Sequence, residues 1–414
     1  MSISNSNSIY HIGFFVKAFP VPSQKFIQVQ IEEILKSGFK VTVIAENKSD
    51  LNLVKNKNLK IVELNTATCS YVGRVINFLG LYMSDRKFRK VTKVASSFKG
   101  RGFLKLWFVN EYLGTINLEK VDLLHVMFST YLPRIYYLEK LGIVKNTRKV
   151  VSCRGYDITT VNPHGEFEIE DSKYEVSKYL PVSESLKGVL ESKKIEPDRI
   201  SVIYSGIETD NINYLRTFSF PSHGGLIKLL SIGRLTEKKG HDTSIRIVSG
   251  LVKSGLNVQL TIIGEGVEFH NLSSLAVELG ISDKVFFAGQ KSWNQAMETL
   301  YSSHFFLLMS KTASNGDQEG IPNVLKEAMA AGIPCISTYH SGIPELKTLD
   351  KFGLLCNEDD VAHGLNVLLK QLALSKDSIE NIRAENRKFI EEYFDSKRIN
   401  QKLVSVYKEV LNES

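Results

Sequence analysis

A chain of 414 residues is too long for one hydrophobic core and suits two domains of about 200 residues each. It is 43% hydrophobic, yet no apolar run reaches the roughly 18 residues of a spanning helix, and the first seven residues lack the basic and apolar parts of a signal peptide. Four scattered cysteines, nine histidines without ligand spacing and a net charge of +7 exclude a disulfide scaffold and an evident metal centre, and predict a cytoplasmic protein with reduced thiols.

Residues 10–16 have the pattern of a buried strand. Ser23 follows as an N-cap for a helix over 24–36, which Gly38 ends. With Lys17 and Lys25 beside it, Ser23 is equally a candidate anion seat. Strands are predicted over 39–45 and 61–64. Between Arg74 and Lys105 there are then nine basic residues against one acid, Asp85, threaded with Phe78, Leu79, Leu81, Tyr82, Met83, Phe88 and other apolar residues up to Phe108. The segment 74–108 lies within two predicted helices over 71–114. Its basic, amphipathic character suits either an anionic inner-leaflet membrane or a solvated helical face, and no groove-reading motif points to nucleic acid.

A strand over 121–127, a helix over 131–141 and a strand over 149–153 come next, the last ending at Arg154-Gly155-Tyr156-Asp157. Further strands are predicted over 179–182 and 200–204, separated by a helix from Glu184. The polar stretch 209–225 reads as a linker. A second run of strands follows at 226–232, 258–263, 285–287, 305–309 and 334–337, with charged helices from 361 to 411. Strands alternating with helices in both halves predict two doubly wound parallel sheets, with functional loops at the carboxyl ends of the strands and a cleft between the halves.

One stretch organises the second half: the acidic loop Gly316-Asp317-Gln318-Glu319-Gly320 and the helix after it. Pro322 fits the first turn of that helix, Ile321, Val324, Leu325, Ala328 and Met329 recur at helical spacing, and Gly332 with Pro334 stops it. The free N–H groups of Gly320, Ile321 and Asn323 at such an end attract an anion. A carboxylate there, Glu319, suits a neutral partner such as a sugar hydroxyl. Glu327 shares a helix face with Asn323, so the two acids read as separate contacts along one long ligand. Earlier, Arg234 and Lys239 sit on a glycine-bounded loop directly after a strand, a pairing suited to a diphosphate.

These motifs carry a resemblance. Gly-Arg-Leu-x-x-x-Lys-Gly at 233–240, Ile-Gly-Glu-Gly at 263–266, Phe-x-Gly at 287–289 and Glu-Gly-Ile-Pro-x-x-x-x-Glu-Ala-Met-Ala at 319–330 resemble, in order and spacing, family 4 of the retaining glycosyltransferases, the group 1 transferases of GT-B fold. Phe19-Pro20-x-x-Ser23-x-x-Phe26-Ile27 and the sequence 317–322 look most like the branch that builds colanic-acid-type exopolysaccharides. The resemblance implies two Rossmann-like domains: an acceptor domain over 1–208, a nucleotide-sugar donor domain over 209–395, and a C-terminal helix over 396–414 packing back on the first. It implies that Arg234 and Lys239 neutralise the donor pyrophosphate, that Glu327 holds the ribose, that Gln290 borders the base and that Glu319 contacts the donor sugar, with the amides of Gly320, Ile321 and Asn323 beside it, past Pro322. The implied reaction retains anomeric configuration by front-face attack, with no metal or cofactor, on a glycan or lipid-linked acceptor.

The first half departs from the family pattern. His125-Val126-Met127-Phe128 stands where His-x-His-Phe is usual, and Arg154-Gly155-Tyr156-Asp157 where His-Gly-x-Asp is usual. His125 is thus either a proton handler or a buried structural histidine. Arg154 suggests an extra cation for a phosphate of donor or acceptor. Asp157 either orients that arginine or an acceptor hydroxyl, or forms a turn. The missing histidine leaves an inactive nucleotide-sugar-binding partner as an alternative to an enzyme. A sugar-nucleotide epimerase on the same fold is a further alternative, against which the Glu-x7-Glu spacing argues.

Overall fold

The computed structural model describes residues 9–21, 25–48, 56–64, 71–97, 120–142, 144–145, 147–160, 171–215 and 224–413. Two six-stranded sheets are present. The first contains β1 (His11–Phe19), β2 (Lys40–Lys48), β3 (Leu59–Glu63), β4 (Leu123–Val126), β5 (Arg148–Cys153) and β6 (Lys178–Pro181), in the order β3-β2-β1-β4-β5-β6. The second contains β7 (Ile227–Ile232), β8 (Val258–Ile263), β9 (Val285–Phe287), β10 (Phe305–Leu308), β11 (Cys335–Thr338) and β12 (Leu355–Cys356), in the order β12-β11-β10-β7-β8-β9. Every pairing is parallel. A parallel strand covered by helices on both faces must be apolar along its length, and all four residues of β10 are buried.

In each sheet the strand order reverses between the first and fourth strands to form, at β1/β4 and at β7/β10. At such switch points adjacent loops splay apart and open a crevice at the carboxyl ends. The chain passes between the sheets twice, and the two crossings run side by side: Ile207 N–H donates to Phe394 O at 2.9 Å and Ser396 N–H to Ile207 O at 2.8 Å. Gly206 permits this approach, because a Cβ there would lie 2.6 Å from Ser396 Cα. The last helix, Ser396–Asn412, then returns to the first sheet, burying Leu403, Tyr407 and Val410 with Ile31 and Leu35 of helix Lys25–Lys36.

Residues 200–204 differ from the expected strand. Ser201 and Ile203 N–H groups donate to Tyr179 and Pro181 carbonyls, but only one bridge forms, because the segment is already leaving β6 for the crossing. The basic region forms helices Tyr71–Ser84 and Arg86–Ser97, broken at Asp85, whose carboxylate accepts from Lys87 and Phe88 N–H. Phe88 and Val91 are buried, whereas Ile76, Leu79, Tyr82 and Met83 are exposed alongside Arg86, Lys87, Arg89, Lys90 and Lys93. Residues 98–108 of that segment lie outside the described residues, as does Ser23. No described helix is long and apolar enough to cross a membrane. Cys153, Cys335 and Cys356 are free and buried.

Candidate active site

A cleft of about 900 Å³ lies between the two sheets, lined by Arg154 and Phe26 from the first and by Arg234, Lys239, Glu319 and Glu327 from the second. On the C-terminal wall, β7 ends in Gly233, and Lys239 folds back over it: a Cβ on Gly233 would sit 3.2 Å from Lys239 Cδ. The turn closes through Gly240 at φ 60°, where a Cβ would lie 1.7 Å from Met309 O, so only glycine fits. This turn aims Lys239 Nζ at Glu319 Oε1, 3.0 Å away. Lys238 Nζ is 3.5 Å from the same oxygen and 2.9 Å from Asp317 Oδ1. Burial by itself would raise the Glu319 carboxyl. Lys239 and Lys238 override it and hold the group at about 2, fully ionised. Arg234 is exposed on the same loop and has no carboxylate partner among the described residues.

The helix after Glu319 spans Asn323–Ala331 and ends at Gly332 in the left-handed conformation. Pro322 stands one position earlier than expected, as the N-cap, with its carbonyl accepting from Leu325 N–H at 3.2 Å. The N–H groups of Asn323 and Val324 therefore open the helix toward the cleft without a carbonyl partner among the described residues. Gly320 is wedged between walls, since a Cβ would meet Val182 Cγ2 at 2.6 Å. Glu327, on the cleft face, accepts from Trp293 Nε1–H at 3.0 Å. Burial raises its carboxyl, and Trp293, Lys326 and Lys25 act against that.

Three further contributors sit here: Trp293 and Lys326, which the sequence does not single out, and His340, a lesser candidate beside the loop 342–346. Trp293 lies beneath Lys25, whose Nζ is 5.0 Å from the ring centre. His340 is fully buried: Glu319 N–H donates to its Nε2 at 3.1 Å, so the proton resides on Nδ1, which donates to Glu358 at 2.6 Å. That chain fixes the Glu319 backbone. Lys326 is buried beside Glu327, donates to Ser205 O at the crossing and lies over Phe394; burial lowers its amine to about 7. Gln290 lines the cleft, its N–H 3.4 Å from Glu265 Oε1.

The N-terminal wall differs from expectation at His125. The residue is fully buried and does not line the cleft. Its Nδ1 contacts Tyr407 Oη at 2.5 Å and its Nε2 contacts Ser152 Oγ at 2.8 Å. Burial, aided by Arg154, pushes it down to about 3, and both ring nitrogens are engaged within the core, the arrangement of a buried structural histidine. Asp157 is likewise occupied. Its carboxylate accepts from Ser129 N–H, Ser129 Oγ–H and Arg154 N–H, which makes it the organiser of the turn after β5. Arg154 reaches the cleft with its guanidinium over Phe26, 4.1 Å from the ring centre.

Residues 217–388 match the family described as glycosyl transferases group 1. The chain is 28% identical over 407 residues to the colanic acid biosynthesis glycosyltransferase WcaL of Escherichia coli (strain K12), covering 95% of this chain and 98% of that protein. It is 26% identical to the amylovoran biosynthesis glycosyltransferase AmsK of Erwinia amylovora, covering 93% and 96%. Residues 217–388 thus carry the group 1 glycosyltransferase family. The fold of the chain is GT-B: the crystal structure of Anabaena Alr3699/HepE in complex with UDP and glucose superposes with a TM-score of 0.63 at 14% identity, covering 96% of this chain and 99% of that chain. Both sheets and the cleft between them are thus common to the two.

Proposed function

We propose that this glycosyltransferase moves a hexosyl group from a nucleotide diphosphate sugar to a glycan acceptor carried on a lipid, with retained anomeric configuration and no metal, in the assembly of a cell-surface polysaccharide. The observation that carries this reading is the Lys239–Glu319 pair set at the opening of helix Asn323–Ala331. An entering diphosphate competes with Glu319 for the two lysines and meets the helix amides and Arg234 as well. Glu319, released from its ammonium partners, turns to the hydroxyls of the sugar being transferred. Trp293 leaves one oxygen of Glu327 for the ribose. With His125 neutral and out of the cleft, the acceptor proton passes to the leaving phosphate oxygen on the front face. Side-chain cations meet the charge of the leaving group, so chelation with EDTA is expected to leave turnover unchanged.

The polysaccharide assignment is supported by the names of WcaL and AmsK, and the UDP and glucose of Alr3699/HepE support a nucleotide sugar as donor. Membrane docking at the inner leaflet is supported by the exposed apolar row Ile76, Leu79 and Met83 beside the cations of helix Arg86–Ser97. Purified protein screened against UDP-, GDP- and ADP-sugars is expected to hydrolyse one donor slowly and release the sugar with retained configuration by NMR. Turnover of none of them overturns the reading. Co-sedimentation with vesicles containing anionic lipid is expected at low salt and lost at high salt; binding indifferent to anionic lipid removes the membrane part.

A further inference from the structure

We infer that Arg154 is a cross-cleft anion seat for the donor diphosphate, supplied by the wall opposite the other phosphate-binding groups. The inference rests on the donor reading above and adds a residue from the other domain to it. Three observations carry it. First, Arg154 lies against the donor motif. A Cβ on Gly320 would be 3.7 Å from Arg154 O, and one on the neighbouring Gly155 would be 2.5 Å from Gln318 O, while Thr159 Oγ1 accepts from Gln318 N–H at 3.3 Å. The turn that bears Arg154 is thus pressed onto the stretch that opens helix Asn323–Ala331.

Second, the guanidinium is held but not neutralised. Phe26 supports its face, its Nε is buried without a partner, and no carboxylate pairs with it among the described residues. Asp157, three residues on, spends its oxygens on Ser129 and on the Arg154 backbone. Burial lowers the guanidinium to about 10, and the charge of Asp157 offsets that only in part. Third, the charge on the opposite wall is insufficient. Arg234, Lys238, Lys239 and Lys291 stand on that wall with Asp317, Glu319 and Glu327, a surplus of one positive charge, whereas a nucleotide diphosphate sugar bears a negative charge on each phosphate. A planar guanidinium aimed from across the cleft completes the neutralisation, and grips two oxygens where a lysine grips one.

The test is equilibrium binding, which needs neither acceptor nor turnover. UDP, GDP and ADP, with their monophosphates, are titrated into the wild type and into Arg154→Gln and Arg154→His at pH 8. The preferred diphosphate is expected to weaken by about 10- to 100-fold in both variants, the loss of one charge-assisted contact, while the monophosphate stays within about twofold. The monophosphate reports that the fold is intact, and the histidine variant, which retains a ring over Phe26, decides if the glutamine variant does not fold. Unchanged diphosphate affinity overturns the inference and leaves the donor reading standing. If no nucleotide binds the wild type, both fall together.

Discussion

The two walls of the cleft use charge in opposite ways. On the C-terminal wall Lys239, Lys238, Glu319 and Asp317 are cross-paired, and the strained turn at Gly240 holds them in place. On the N-terminal wall the acid Asp157 is consumed by backbone N–H groups, the histidine is buried in the core, and a single guanidinium faces the cleft with only an aromatic ring for support. A self-neutralised cluster costs little to keep folded and can exchange an internal partner for a ligand. An uncompensated cation is costly to bury and is retained only where something outside the chain meets it. One wall is thus a site that rearranges, the other a frame from which Arg154 projects.

The largest break in this contrast comes from Lys239→Ala. Removing a cation that meets charge as it develops on the leaving diphosphate is expected to lower turnover by about 100- to 1,000-fold. It also removes the main influence that keeps Glu319 at about 2, so that carboxyl moves up toward the ordinary range and the acid limb of the pH–rate profile moves to higher pH. A profile that does not move places Lys239 outside the pair. A smaller effect is expected of Trp293→Phe, which keeps the ring and deletes the hydrogen bond to Glu327. The expected change is about a 5- to 10-fold rise in donor KM with kcat nearly unchanged. Because Trp293 is the first influence holding the Glu327 carboxyl down against burial, the KM defect grows as pH falls. A uniform loss of kcat instead assigns Trp293 to the reacting centre.

The C-terminal wall was the more legible in sequence, for a physical reason. Its chemistry sits on turns that tolerate only glycine and on one helix start, and such backbone demands leave short contiguous motifs: Gly233 to Gly240, and Glu319 to Gly332. Alternation of apolar runs with helices was enough for both sheets except the two-residue β12, which it missed, and residues 200–204, which it made a strand. Contacts between residues far apart in sequence left no such trace. Trp293 meets Glu327 across 34 positions and His340 meets Glu319 across 21, each through a side chain whose direction depends on packing. The two readings of His125 could not be separated in sequence because its neighbourhood looks like a strand-end motif. The residue that occupies it, Tyr407, is 282 positions away on a helix that returns from the other domain.

The smallest effect on activity is therefore expected at His125, and that near-absence is informative. His125→Asn deletes contacts to Tyr407 and Ser152 within the core, and the hydroxyl groups left behind lose partners they cannot replace with water. A stability loss of about 1–3 kcal/mol is expected in denaturant titration. Turnover of the folded enzyme is expected to stay within about threefold from pH 6 to 9, because a neutral ring outside the cleft exchanges no proton with substrate. Acid unfolding separates this from a catalytic role. The folded His125 titrates at about 3, below the ordinary range near 6.5, so the unfolded chain binds the extra proton between those values. Stability in the wild type thus rises with pH across that window, and His125→Asn removes that part of the slope. A mutant that keeps the slope but loses turnover would return His125 to the reaction and erase the contrast between the two walls.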